Sequence, residues 1–314
     1  MFTREAKASK KETIVFVKFF DSTFFSKKVG GPGRRPGIKL FSQAPGSVRI
    51  NHTKNRKDAS FMFAIYKKEL RSYFITPVGY VYVGIFLALS ALICCFTTLH
   101  NMSYETASYF TYMMFGLVVM IPLLTMRLFS EEKKQRTEQM LLTAPVSLTG
   151  MVLGKFFAAF TLFVGTLLVS CLNFFPLYSI AIEERAAANL EYQGAGDSII
   201  GPVTGQIVGR LIGIILIGAA FIAIGTFISS FTESQLAAAV TTIAVILGMV
   251  IIGFLNSTID VYAVRFVLDW ISVLSRYSNF SYGLFDFSAL VYYLSICSVF
   301  LFLTVRVYEK RRWN

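Results

Sequence analysis

Long apolar runs separated by short polar segments dominate the sequence after Pro77. Crossing a hydrocarbon core of about 30 Å as a helix takes roughly 20 apolar residues. Six runs are long enough: Val78 to Leu99, Tyr109 to Met126, Leu148 to Ile182, Val203 to Ser230, Leu236 to Leu255 and Phe287 to Tyr308. Because these runs lack the alternation of barrel strands, the pattern predicts an all-α, polytopic membrane protein with six transmembrane helices.

A helical apolar face precedes the first span, between Phe61 and Phe74. The apolar positions of this face are Met62, Ile65, Tyr66, Leu70 and Tyr73, whereas Lys67, Lys68 and Arg71 lie elsewhere around the helix. This spacing predicts an N-terminal interfacial helix on the inner membrane surface. The dipeptide Thr76-Pro77 ends it, since the residue before a proline disfavours helical geometry.

Two polar segments between spans have a pattern of their own. The insert 128–147, between spans two and three, contains six charged side chains that would be costly inside a bilayer, so it must lie in water. These are Glu131, Glu132, Lys133, Lys134, Arg136 and Glu138. Segment 256–286, between spans five and six, has apolar and charged positions on opposite helical faces, which predicts an outer helical segment. That segment could cap a translocation path or simply be interfacial.

Spans three and four carry features that affect packing. The third span contains Pro176, which predicts a kink. The fourth has a stripe of small residues at intervals of four, Gly205, Gly209 and Gly213, which permits close helix approach. This stripe suits packing within one subunit or a dimer face.

Charge is concentrated in the N-terminal tail. The chain has a net charge of +12, of which residues 1–61 contribute +10, from 14 Lys or Arg against 4 acids. Residues 1–60 also contain turn-rich stretches such as GGPGRRPG, so we expect a disordered tail without a signal peptide. Either Met62 is the natural start, or the tail is a basic arm that touches anionic lipid.

Basic residues near the spans predict the orientation. With both termini cytoplasmic, twelve Lys or Arg outside the tail fall on the inner side and four, Arg185, Arg210, Arg265 and Arg276, on the outer side. The insert 128–147 is then cytoplasmic.

No catalytic or metal-binding pattern is present in the sequence. The four cysteines, Cys94, Cys95, Cys171 and Cys297, fall within predicted spans, and His52 and His100 lie in different segments. No phosphate-binding loop of the form G-x-x-x-x-G-K-[ST] occurs, so energy for any ATP-driven work must come from a partner. A rigid charged helix at Glu131 to Leu142 could receive such a partner's motion. The residues alone leave open the alternative of a solvated loop.

Three stretches resemble ABC-2 type transporter permeases, most closely the gliding-motility-associated subfamily. They are YKKELRSYFITPVGYVY at 66–82, FSEEKKQRTEQMLLTAPVSLTGMVLGKF from Phe129, and YGLFDFSALVYYLSICSVFLFLTVRVYEKRRW at 282–313. The resemblance covers residues 62–314 and implies a six-span permease domain with the type V exporter-like fold. It also implies that the insert contacts an ATPase through Glu131, Glu132, Lys133, Arg136 and Glu138.

The implied protein is a non-catalytic subunit of an ATP-driven exporter in a bacterial cytoplasmic membrane. Its implied partners are a cytoplasmic ABC ATPase, which would hold ATP and Mg, and a second permease copy or related permease. An auxiliary membrane subunit with an external domain and membrane lipid are further expected partners, and nucleic acid is not. Two alternatives remain: a membrane anchor for an envelope complex that transports nothing, and an ion-coupled carrier, which the scarcity of charge at mid-span disfavours.

Overall fold

The computed structural model describes residues 46–100, 106–137, 147–182, 204–256, 276–277, 280 and 286–313. The chain divides into two compact units, Met1–Val48 and Arg49–Asn314. Of the first unit, only the residues that begin a helix at Gly46 are described. The second unit contains the long apolar helices described below.

The described residues form helices joined by turns and short irregular segments, without a strand. The helices are α1 (Gly46–Ile75), α2 (Pro77–Cys94), α3 (Ala107–Thr125), α4 (Arg127–Lys134), α5 (Leu148–Ser170), α6 (Thr204–Phe231), α7 (Gln235–Asn256) and α8 (Phe287–Trp313). A π-helical turn, Cys95–Leu99, extends α2, and a 3-10 turn, Cys171–Phe174, follows α5. Within these ranges, six helical segments are long and apolar enough to span a membrane. The prediction of an all-helical chain with six helices able to span a membrane is confirmed for the described residues.

Helix α6 is the centre of the bundle, since it packs against α3, α4, α5, α7 and α8. Small residues make this crowding possible. A Cβ added at Gly218 would lie 2.2 Å from the ring of Phe163 on α5, and one at Gly225 would lie 2.3 Å from Oγ1 of Thr125 on α3. The peripheral helices α2, α7 and α8 leave many large apolar side chains uncovered, as expected for helices that face lipid.

The predicted glycine stripe on α6 lies partly outside this crowded region. Gly205 is exposed and has open space where a Cβ would be. Gly209 is half-buried. Gly213 is buried, and a Cβ there would lie 2.8 Å from the ring of Tyr277. Gly213 therefore serves packing within this subunit.

Helix α1 begins at Gly46 rather than at Phe61, so part of the predicted disordered tail is helical. Its apolar face packs against protein, whereas an amphipathic helix on a membrane surface would turn that face toward lipid. The backbone of Met62 and the side chain of Ile65 press against Gly154 of α5, where a Cβ would lie only 3.0 and 3.1 Å from them. The Tyr66 hydroxyl donates to Oγ1 of Thr161, also on α5, at 3.2 Å.

A sharp corner joins α1 to α2. Thr76 has extended backbone geometry, and Pro77 starts α2 without needing an amide donor. The corner brings Gly79 so close to α1 that a Cβ would lie 2.1 Å from the carbonyl oxygen of Tyr73. Only glycine fits there.

One end of the bundle collects the charged side chains. This charged end contains Lys155, α4 and the turn between α6 and α7. The last turns of α8 lie there too, because the rings of Tyr308 and Phe129 are 5.0 Å apart. The part of α1 after Phe61 and the C-terminal part of α8 are thus on the same side, as an even number of spans requires. Most of the predicted insert beyond Thr137, and most of segment 256–286, lie outside the described residues.

Candidate functional site

Lys155 on α5 is the centre of a buried charge network. Its side chain is only 1% exposed, and its ammonium group makes three hydrogen bonds. The acceptors are Oε1 of Glu69 on α1 at 2.9 Å, Oε1 of Glu132 on α4 at 2.9 Å, and the carbonyl oxygen of Leu128 at 2.8 Å. Because an ammonium has three donors, all of them are satisfied. One side chain therefore joins three helices.

The network balances its own charge. Glu69 and Glu132 carry two negative charges, and Lys68 supplies the second cation at 3.9 Å from both carboxylates. Lys68 keeps 65% of its side chain exposed, so it screens the network from the solvent side. The ammonium of Lys155 also lies 5.3 Å from the ring centroid of Phe129, within the range of a cation–π contact. Neutrality matters here because an unpaired charge at a buried position is strongly destabilising.

Helix α4 is also fastened to α6. The hydroxyl of Ser229 on α6 accepts hydrogen bonds from the backbone N–H groups of Phe129 and Ser130 at 3.2 and 3.3 Å, and donates to the carbonyl oxygen of Met126 at 3.3 Å. This hydroxyl caps the break between α3 and α4 from a different helix. Lys133, which is buried, donates to the carbonyl oxygen of Ser230.

A second ion pair lies beside the network, at the start of α4. Arg127 binds both carboxylate oxygens of Glu131 at 2.8 and 2.9 Å. These two residues and Glu69 line a cavity of about 30 Å³. That volume is large enough for one water molecule. The Tyr73 hydroxyl, on the same cavity, donates to the carbonyl oxygen of Leu124 at 3.2 Å, and burial raises the pKa of this phenol, so it remains a donor.

Helix α4 ends in an exposed tip. The N–H of Thr137 bonds to the carbonyl oxygen of Glu132, and that of Arg136 to the carbonyl oxygen of Lys133, both at 3.0 Å. This pair of bonds forms a Schellman cap, in which Arg136 adopts φ 57° at the position where glycine is usual. Lys134, Gln135 and Arg136 are exposed. We call these three residues the α4 tip.

The five residues predicted to contact an ATPase are distributed between these two regions. Glu132 and Lys133 point into the protein and hold α4 to α5 and α6, and Glu131 is half-buried against Arg127. Arg136 is at the exposed tip, and Glu138 lies outside the described residues. Of the predicted interfacial residues, Lys67 and Arg71 are exposed, and Lys68 borders the network.

Sequence reasoning missed Lys155, Glu69 and Ser229 as members of the site. Lys155 carried a usable signal, because it is the one charge in the long apolar run from Leu148 to Ile182, and it follows directly on Gly154. A lysine inside a span requires a partner, and a neighbouring glycine allows another helix to come close enough to supply one. Glu69 and Ser229 have no comparable signal.

Within the ranges that the structure covers, no three His, Cys, Asp or Glu side chains are grouped so that they could hold a metal ion. The cysteines Cys94, Cys95, Cys171 and Cys297 are free thiols. No protein-family model matches the chain, and no curated protein matches it.

Proposed function

We propose that this chain is the membrane-spanning permease subunit of an ATP-binding cassette exporter of the ABC-2 type, coupled to a separate cytoplasmic ATPase through α4. The observation that carries the proposal is the attachment of α4 to three other helices. Lys155 ties α4 to α5 and α1, and Ser229 with Lys133 ties it to α6. A displacement applied to α4 is therefore passed to several spans at once.

The exposed tip is the surface on which an ATPase would act. Lys134, Gln135 and Arg136 extend beyond the last buried residue of α4, Lys133, so a soluble partner can reach them without disturbing the network. A short helix that is free at its tip and fixed along its sides suits the transfer of motion. The resemblance of this segment to ABC-2 permeases supports the same assignment.

The test begins with purification of the full chain, together with the proteins encoded beside it, in a mild detergent. Recovery of a soluble nucleotide-binding protein, whose ATP hydrolysis changes when this chain is present, is the expected result. Absence of any such partner, under conditions that preserve other membrane complexes, would overturn the proposal. An anchor that transports nothing predicts copurification without a change in ATP hydrolysis.

Charge reversal at the α4 tip then locates the contact. In the doubly substituted variant Lys134→Glu/Arg136→Glu, we expect ATPase stimulation to fall while membrane insertion and thermal stability stay unchanged. The matched control is Lys310→Glu/Arg312→Glu, which reverses two exposed charges on α8 at the same end of the bundle. Reversal of Glu132 is a poorer test, because it would place a second cation against Lys155 and destabilise the subunit.

An ion-coupled carrier is the second candidate, and the burial of the Lys155 ammonium between two carboxylates near the end of a span favours it. Such groups mark ion pathways in many transporters. Proteoliposomes that contain this chain alone distinguish the two functions. Dissipation of an imposed proton or sodium gradient would support the carrier, whereas a permease without its ATPase leaves the gradient intact.

A further inference from the structure

Helix α1 has a second face that the bundle does not cover. Phe63, Lys67, Arg71 and Phe74 follow one another at helical spacing along this face, and all are exposed. Phe63 is 62% and Phe74 47% exposed. Neither Lys67 nor Arg71 has a hydrogen bond or an ion pair to any described residue. We call these four residues the outer stripe.

The contacts that the opposite face of α1 makes with α5 show at which height along the bundle the outer stripe lies. Glu69 lies between Lys67 and Arg71 in sequence, and its carboxylate is bound to Lys155 in the first turns of α5. Six residues after Arg71, the first membrane span begins at Pro77. Lys67 and Arg71 are therefore at the height where apolar spans begin, which is the headgroup region of a bilayer.

The stripe is continuous with the surface that faces lipid. The ring of Phe74 packs edge-on against Tyr80 in the first turns of α2, with centroids 6.2 Å apart. Tyr80 is itself 63% exposed on a membrane span. Aromatic residues at both ends of the stripe, with cations between them, match the boundary between acyl chains and headgroups.

The acidic side chains nearest to the stripe are turned away from it. Glu69 and Glu132 point to Lys155 on the inner side of α1. These carboxylates are neutralised inside the protein. The outer stripe itself contains two cations and no acid, so it presents two positive charges. The fork of an Arg guanidinium fits two phosphate oxygens, and a Lys one turn away can reach the same phosphate.

We propose that Lys67 and Arg71 form a binding site for the headgroup phosphate of an acidic phospholipid, with Phe63 and Phe74 against its acyl chains. The rings of Phe63 and Phe74 favour a lipid over an acidic protein surface. At the membrane boundary acyl chains can cover these rings, whereas a soluble partner would leave them uncovered. This site is independent of the proposed function, because it needs only a bilayer and not an ATPase.

The test measures the binding of phosphatidylglycerol to the full chain by native mass spectrometry, after exchange into a detergent free of lipid. Each cation near an anionic lipid surface strengthens binding about five-fold, so removing both should weaken binding about thirty-fold. We therefore expect this loss in Lys67→Gln/Arg71→Gln. The variant Lys67→Arg/Arg71→Lys keeps both charges and should bind within a few-fold of the parent chain, which also shows that α1 tolerates substitution there.

Controls separate this site from general attraction between charges. Lys310→Gln/Arg312→Gln removes two exposed charges from α8 at the same end of the bundle and should leave the tightest phosphatidylglycerol site intact. Phosphatidylcholine with the same acyl chains should bind much more weakly to the parent chain, and inorganic phosphate should not displace the lipid. Equal losses in the α1 and α8 variants, or displacement by free phosphate, would overturn the proposal.

Discussion

Removal of the Lys155 ammonium should destabilise the whole charged end. The substitution Lys155→Met keeps most of the side-chain volume and deletes the charge, so it leaves the carboxylates of Glu69 and Glu132 with only Lys68, 3.9 Å away. The network then carries a net charge of −1 at a position that is largely closed to water. Helix α4 loses its direct link to α5, and α1 loses its ionic contact with α5 and keeps only the Lys68–Glu132 pair with α4.

The magnitude follows from the burial of the three groups. Breaking a buried ion pair by removing one partner costs about 3–5 kcal/mol. The lower end, about 3 kcal/mol, applies here because the Glu69 and Glu132 side chains retain 14% and 17% exposure. At roughly 2 °C per kcal/mol for a chain of this size, the thermal midpoint should fall by about 6 °C.

Thermal unfolding of the purified chain in mild detergent measures this loss, and two added substitutions test its cause. In the triple variant Lys155→Met/Glu69→Gln/Glu132→Gln no buried charge is left unpaired, since Lys68 is exposed, so most of the lost stability should return. Lys134→Met, which removes an exposed lysine of the α4 tip, should have no measurable effect. The reasoning is refuted if Lys155→Met leaves the midpoint unchanged, or if the triple variant is as unstable as the single one.

Three further substitutions test other parts of the charged end, the first by the yield of folded protein and the other two by the same thermal measurement. Gly79→Ala should prevent the α1–α2 corner from closing and lower the yield of folded protein, because its Cβ would lie 2.1 Å from a backbone oxygen. Gly84→Ala, in open space, should be harmless, and equal yields of the two variants would contradict this reasoning. Ser229→Ala should lower the free energy of unfolding by about 1–2 kcal/mol, since two buried N–H groups lose their acceptor. Ser229→Thr keeps the hydroxyl, so a loss of stability in that variant alone would point to crowding instead. Arg136→Gly should stabilise the chain by about 1 kcal/mol, because glycine adopts φ 57° without strain. A lower thermal midpoint would contradict this, since it would mean that the Arg136 side chain stabilises the fold by more than its backbone strain destabilises it.

The six spans were predictable from the sequence because membrane helices need only length and apolar composition. The break in span three was predictable as well. Pro176 lacks an amide donor and its ring crowds the carbonyl four residues earlier, and the 3-10 turn Cys171–Phe174 lies at that position. Apolar length and the chemistry of proline act locally along the chain, so no knowledge of neighbouring helices is needed.

The partners of the charged side chains were not predictable, because they depend on which helices meet. The amphipathic pattern of α1 correctly separated Ile65 and Tyr73 from Lys67 and Arg71. It could not show that α5, rather than lipid, covers the apolar side. That outcome depends on Gly154, whose missing side chain lets α1 approach until Glu69 reaches Lys155.

The same contacts divide α4 into residues that could bind a partner and residues that transmit the result. Lys134 and Arg136 are exposed at the tip, so reversal of their charges should weaken the binding of a partner without altering stability. Glu132 and Lys133 are occupied by α5 and α6, so their substitution should loosen α4 from the spans even where the partner still binds. If α4 couples an ATPase to the membrane, variants at the tip and variants at the anchors will both lose coupling, but only the anchor variants will keep the ATPase bound. A solvated loop without a coupling role predicts no such separation.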